Sequence, residues 1–330
     1  MLRRIALSYG LTSRSVDILK RSIVHFKQLR SLELSVAISM KDFSLWEILG
    51  TLPSLENLTL ETYDLASASH PPRVPENSNN QRGLRYFDAL ESLDITGSFF
   101  IIQHLLRFID SPCLKSIKLE AYPVRNEHEP EDLLTSSMTV FASKWLHSLK
   151  NLTINLNPNA NGITYHNSTL FMELHEIQTF QLVGGRMENN NDAVRCLAMS
   201  WPKLRTLAVM SFYPPNQVFI SISTLRIIAE NCPDLRCLEI QLDISTIPPF
   251  DDHEISSKSL RHNLEFLDIQ QVAGPDNTPQ TMLEYQIDVA RHLDLIFPYL
   301  KTIEVQDRNW LGICSLVKLC QKCQDTRRGR

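Results

Sequence analysis

Leu55-Glu56-Asn57-Leu58-Thr59-Leu60 places leucines at its first, fourth and sixth positions. Its last three residues alternate apolar, polar, apolar, the period of a short strand with one face buried and the other wet. The same spacing recurs in both directions. Toward the N-terminus it is Leu29/Leu32/Leu34 and then Leu2/Ile5/Leu7. Toward the C-terminus it is Leu90/Leu93/Ile95, Leu114/Ile117/Leu119, Leu149/Leu152/Ile154, Ile177/Phe180/Leu182, Leu204/Leu207/Val209, Leu235/Leu238/Ile240, Leu264/Leu267/Ile269 and Leu300/Ile303/Val305.

Six of the ten intervals between these eleven motifs are 24 to 29 residues, and the other four are 31 to 36. That is the period of leucine-rich repeats, with insertions in the longer units. The expectation is an α/β leucine-rich repeat solenoid: a horseshoe of about eleven irregular repeats, with a parallel concave sheet and convex helices. Helical spacing supports the return segments. Phe43, Trp46, Ile48 and Leu49 form one face, with Asp42 or Ser44 as N-cap. Ile222, Leu225, Ile228 and Ala229 form another, and Ile287, Ala290, Leu293 and Ile296 a third. The chain reads as a single domain, 1–330. Loop insertions are expected at 69–83, 123–132 and 248–259, where turn formers and acids replace apolar residues, a closing helix at 310–323, and a basic tail at 324–330.

A net charge of -4 and a pI near 6.2 supply no global basic field, which disfavours nucleic acid as a partner. No apolar run approaches the roughly 18 to 20 residues of a membrane span. Seven cysteines at irregular spacing are poor material for a disulfide framework, so a reducing compartment, cytoplasmic or nuclear, is expected. Asn-x-Thr sequons start at Asn57, Asn151 and Asn167, the first two within expected strands.

Chemistry finds little support. Cys320-x-x-Cys323 lacks the second pair that a four-ligand zinc site needs. His128 sits among Glu127, Glu129, Glu131 and Asp132 in what reads as a solvated acidic loop, and His25 and His175-Glu176 have no catalytic companion. Gly184-Gly185 reads as a tight turn after the strand Phe180 to Val183. No nucleophile elbow, HExxH, Walker or dinucleotide motif occurs, so no catalytic residue, metal or cofactor is expected.

Recognition has better material. Residues between the last two apolar positions of each motif project from the concave face, and those one place beyond the motif project beside them. Together they include Glu33, Glu61, Asp94, Glu120, Glu239, Asp268 and Glu304. Such a column suits a protein partner of basic character, bound by a monomer. The second motif position is mostly basic (Arg3, Arg30, Lys115, Lys150, Arg205, Arg236 and Lys301 against Glu56, Glu91 and Glu265). Two readings follow: an acidic docking surface, or a face neutralised by this basic edge.

Three stretches go beyond a generic repeat: Leu45 through Leu58, Ala198 through Leu207, and Leu225 through Leu238, the last two containing Trp201-Pro202 and Cys232-Pro233. In order and spacing they resemble the leucine-rich repeat region of the large F-box protein family of basidiomycete fungi. Asp288-Val289-Ala290 with Ile296 through Leu300 resembles that family's C-terminal repeat. The resemblance implies the substrate-binding arm of a ubiquitin-ligase receptor. The first motif already occupies residues 2–7, where that family carries its F-box, so a ligase adaptor is expected as partner only if an F-box lies upstream. The alternative is a stand-alone repeat scaffold or decoy with no role in ubiquitination.

Overall fold

The computed structural model describes residues 3–11, 13–38, 44–64, 86–122, 139–156, 171–184, 190–210, 219–248, 262–273 and 279–328. The expected insertions 69–83 and 123–132, residues 249–259 of the third, and His128 and Gly185 lie outside them.

All eleven motifs lead into strands. In a first compact unit, Met1–Asn161, strands β1 (Arg4–Leu11), β2 (Ser31–Ile38), β3 (Asn57–Asp64), β4 (Ser92–Ser98), β5 (Ser116–Tyr122) and β6 (Asn151–Leu156) run parallel in sequence order. A second unit, Gly162–Arg330, orders β7 (Thr179–Val183), β8 (Thr206–Met210), β10 (Cys237–Asp243), β11 (Phe266–Ala273) and β12 (Thr302–Val305) in the same way. One strand has no motif: the short β9 (Phe219–Ser221), which pairs with the end of β10 from Gln241 to Asp243. Each unit is thus an α/β leucine-rich repeat stack.

One backbone device sets the register. The carbonyl of Arg30, at the second motif position, accepts the N–H groups of both Glu56 and Asn57 in the next repeat, each at 2.9 Å. The carbonyls of Arg3, Glu56, Glu91 and Lys115 do the same in the first unit, and those of Gln178, Arg205, Arg236 and Glu265 in the second. Equivalent residues of successive repeats are therefore held side by side at the strand spacing of about 4.8 Å.

The motif side chains fill the core: Leu55, Leu58 and Leu60 are at most 2% exposed. A fourth buried position lies three residues before the motif leucine, filled by Leu52, Phe87, Ser111, Trp201, Cys232 and Phe297. Its carbonyl accepts the N–H of the motif leucine in several repeats, at 3.0 Å for Phe87 and Leu90 and 3.1 Å for Trp201 and Leu204. Pro53, Pro112, Pro202, Pro233 and Pro298 follow this residue, where a preset φ favours the turn.

Helices complete the repeats. They are α1 (Ser13–Ile23), α2 (Ser44–Gly50), α3 (Phe99–Phe108), helical residues 139–145, α4 (Asn190–Ser200), α5 (Ile222–Asn231), α6 (Pro279–Ile296) and α7 (Gly312–Arg328). Leu45, Trp46 and Leu49 of α2 are buried, as are Leu225, Ile228 and Ala229 of α5. Ser98 and Ser221 cap α3 and α5 by accepting from the N–H of Ile101 and Thr224. The closing helix differs from the expected 310–323. It starts after a 3-10 turn, Arg308–Trp310, and continues to Arg328, so residues 324–328 are helix rather than tail. No glycine or proline interrupts the sequence between Gly312 and Gly329, so nothing stops the helix sooner.

Candidate functional site

Side chains that alternate with the buried leucines line the outward face of each sheet. In the first unit the register brings Glu33, Thr59, Asp94 and Lys118 into one row, and Ser35, Glu61, Thr96 and Glu120 into the next. Glu33 and Glu120 are exposed, and Asp94 and Glu61 half-buried. Six of these residues alternate carboxylate and hydroxyl in both directions: Glu33, Thr59, Asp94 above Ser35, Glu61, Thr96. All six line one shallow depression of about 210 Å³, with Lys118 at its margin.

Four residues of the basic edge pair along their own row, because each seam carbonyl sets one edge residue beside the next. Arg30 meets Glu56 at 3.0 Å, Lys115 meets Glu91 at 2.8 Å, and Arg236 and Lys301 meet Glu265 at 3.2 and 3.3 Å. Among the described residues, ion pairs reach the column from other positions: Arg4 to Glu33 at 3.7 Å, and Lys118 to Asp94 at 3.0 Å.

In the second unit Glu239, Asp268 and Glu304 occupy one row on three adjacent strands. Glu304 is exposed and Asp268 buried. Burial pushes the Asp268 carboxyl up; a hydrogen bond from the Gln270 amide opposes this and Glu304 adds to it. Burial also pushes Glu239 up, reinforced by Asp268, while a hydrogen bond from the Cys237 thiol pulls it back. Burial, then Glu239, holds that thiol at about 11. Asp268 Oδ1 is covered and has no hydrogen-bond partner among the described residues. The triad is crowded, and its central member is closed to solvent.

No protein-family model and no curated protein matches the chain. Solved structures share a loose likeness. A chain from a crystal structure of a Bacteroides fragilis protein aligns with a TM-score of 0.38 at 13% identity, over 93% of this chain and 74% of that one. A chain of the yeast Rad7 and Elc1 complex aligns at 0.38 and 14%, over 80% of this chain and 69% of that one. At these values neither likeness says what this chain binds.

His175 Nδ1 lies 3.2 Å from the Ser200 carbonyl, and Glu176 receives Lys203 at 2.6 and 2.7 Å. Gly184 takes φ 78° at the end of β7, a left-handed conformation that suits a residue without Cβ. Cys320 is half-buried, its thiol pushed up by burial first, and Cys323 is exposed. Sequence reasoning missed His262. It is 4% exposed, with Nε2 2.8 Å from the Cys232 carbonyl and Nδ1 accepting the Leu264 N–H at 3.1 Å. It lies outside every motif, and no local signal marks it.

Proposed function

We propose that the chain is a non-catalytic protein-recognition module that binds a basic partner on the outward faces of its sheets. The observation that supports this reading is a partial separation of charge: Arg30, Lys115, Arg236 and Lys301 of the basic edge pair with acids of their own row, while Glu33, Glu61, Asp94 and Glu120 lie on the outward face of the first unit's sheet and Glu239, Asp268 and Glu304 on that of the second. A column of this kind steers a cationic partner and fixes its register more than it adds raw affinity. Glu33→Lys, Glu120→Lys and Glu304→Lys change exposed residues and leave the core alone. The triple variant should lose the partners that the native chain captures, as read by quantitative mass spectrometry of affinity eluates. Capture of the same set, with the same salt dependence, would remove the reading.

The resemblance to fungal F-box proteins supports a finer version: the repeats as the target-binding arm of a ubiquitin-ligase receptor. An extended product with an upstream F-box would then co-purify with the ligase adaptor. Partner binding with no adaptor in the eluate of such a product favours the stand-alone scaffold or decoy.

A further inference from the structure

We propose that Glu239, Asp268 and Glu304 form a proton-binding site in the outward row of the second unit, and that a cationic partner docking on this row displaces the proton. The displacement rests on the recognition reading; the proton site does not.

The row lacks counter-charge. Its three carboxyls lie on β10, β11 and β12, whose backbones stand at the strand spacing of about 4.8 Å. Among the described residues no lysine, arginine or histidine forms an ion pair with any of them. The first unit differs, with Arg4 on Glu33 and Lys118 on Asp94. At the entrance of the same three strands Arg236 and Lys301 are both taken by Glu265. Like charges this close, with no cation between them, favour uptake of a proton.

Burial of the central member is an independent observation. Asp268 is 7% exposed, and its Oδ1 is covered and has no hydrogen-bond partner among the described residues, while Oδ2 accepts the Gln270 amide. A covered anionic oxygen without a donor is costly, and protonation removes the charge. A proton also fits where a larger ligand does not. Oδ1 is closed to anything bulkier, and among the described residues no three His, Cys, Asp or Glu side chains are grouped to hold a metal ion.

The groups that face Asp268 are Glu239 and the Cys237 thiol on β10, Glu304 on β12 and Gln270 on its own strand. Gln270 is neutral, and burial holds the thiol protonated, so neither adds charge. Burial pushes Asp268 up, with Glu304 adding to it, and pushes Glu239 up, with Asp268 adding to it. Glu239 is half-buried and Glu304 exposed, one on each side of the covered centre. A partner's cation therefore reaches the flanks while the proton sits between them. Each relieves the same repulsion, so each weakens the binding of the other.

The test follows the Asp268 carboxyl carbon by NMR in the full chain, with ¹³C in the aspartate side-chain carboxyls and the resonance assigned by its loss in Asp268→Asn. It should titrate above the ordinary aspartate value of about 3.9. Glu239→Gln and Glu304→Gln should each lower its midpoint. Hexalysine, the probe for a cationic partner, should lower that midpoint further than sodium chloride of equal ionic strength. Its Kd should in turn rise as pH falls through the midpoint, and rise less in Asp268→Asn. A midpoint at or below the ordinary value, or one that neither Gln variant moves, would overturn the site. Equal shifts with hexalysine and sodium chloride would overturn the displacement. Failure of the recognition reading is seen separately, as capture of the same partners by the triple Lys variant.

Discussion

Two buried residues show how single side chains tie one repeat to the next. Trp201 is fully buried and donates from Nε1 to the Phe171 carbonyl at 3.0 Å, and Trp145 repeats the contact with the Ser111 carbonyl at 2.9 Å. Trp201→Phe keeps an aromatic ring but removes that bond, leaving the Phe171 carbonyl with the Leu174 N–H at 3.0 Å. Urea unfolding should show a loss of about 0.5 to 1.5 kcal/mol. His262 makes a sharper prediction. Its Nδ1 accepts a backbone N–H, so the imidazole must be neutral at that nitrogen. Burial lowers its affinity for a proton, and Arg236 adds to this, against the opposing pull of the Cys232 carbonyl. In the unfolded chain the ring titrates near 6.5. Below that pH the unfolded state binds the proton more readily, so the contribution of His262 is present above about 6.5 and lost as pH falls through the lower folded value. Denaturant midpoints at pH 7.5 and 5.0 should diverge in the native chain, and diverge less in His262→Leu. Equal divergence in both would assign the acid sensitivity elsewhere. At Asp268 the sign is reversed. Its carboxyl is pushed up, so Asp268→Asn should raise the melting temperature at pH 7, with the gain shrinking as the native carboxyl protonates in acid.

At the scale of elements, helix α5 depends on its first turn. Ser221 Oγ accepts from the Thr224 N–H at 3.3 Å, while Asn191 Oδ1 accepts from Thr224 Oγ1 and from the Ser221 N–H, both at 2.8 Å. Ser221→Ala should cost about 1 kcal/mol in thermal unfolding followed by circular dichroism. The strands were legible because their alternation is local and repeats: Leu58-Thr59-Leu60 reads as a half-buried strand without its neighbours. The fourth core position was not. Leu52, Phe87, Ser111, Trp201 and Cys232 share a turn and a burial, not a side-chain type, and the proline that follows four of the five marks the turn without marking the burial. Short β9 escaped for a similar reason, since Phe219–Ser221 is too brief to show a period. The acidic column could be counted from the motif. Its relation to the basic edge could not, because that depends on hydrogen bonds between repeats. The register shift after Ile240 that pairs Gln241 with Gln271 was equally hidden, and it leaves Gln270 to hydrogen-bond Asp268.

For the molecule as a whole, the two compact units apply one rule of assembly. Each edge carbonyl holds two N–H groups of the following repeat, and no side chain takes part in that bond. Removing Asn57 to Glu91 would join Glu56 to Ser92, two residues that occupy successive places of the same seam. The shortened chain should keep its α/β circular dichroism and a cooperative urea transition. Removing Asn57 alone would shift Leu58, Thr59 and Leu60 by one place and turn the buried pair outward, with loss of the folded first unit. The seam therefore sets a grammar of inheritance for this sequence. Gains and losses of a whole repeat stay in phase and can be sampled freely by descent. A slip of one residue at the strand entrance leaves no readable chain behind it.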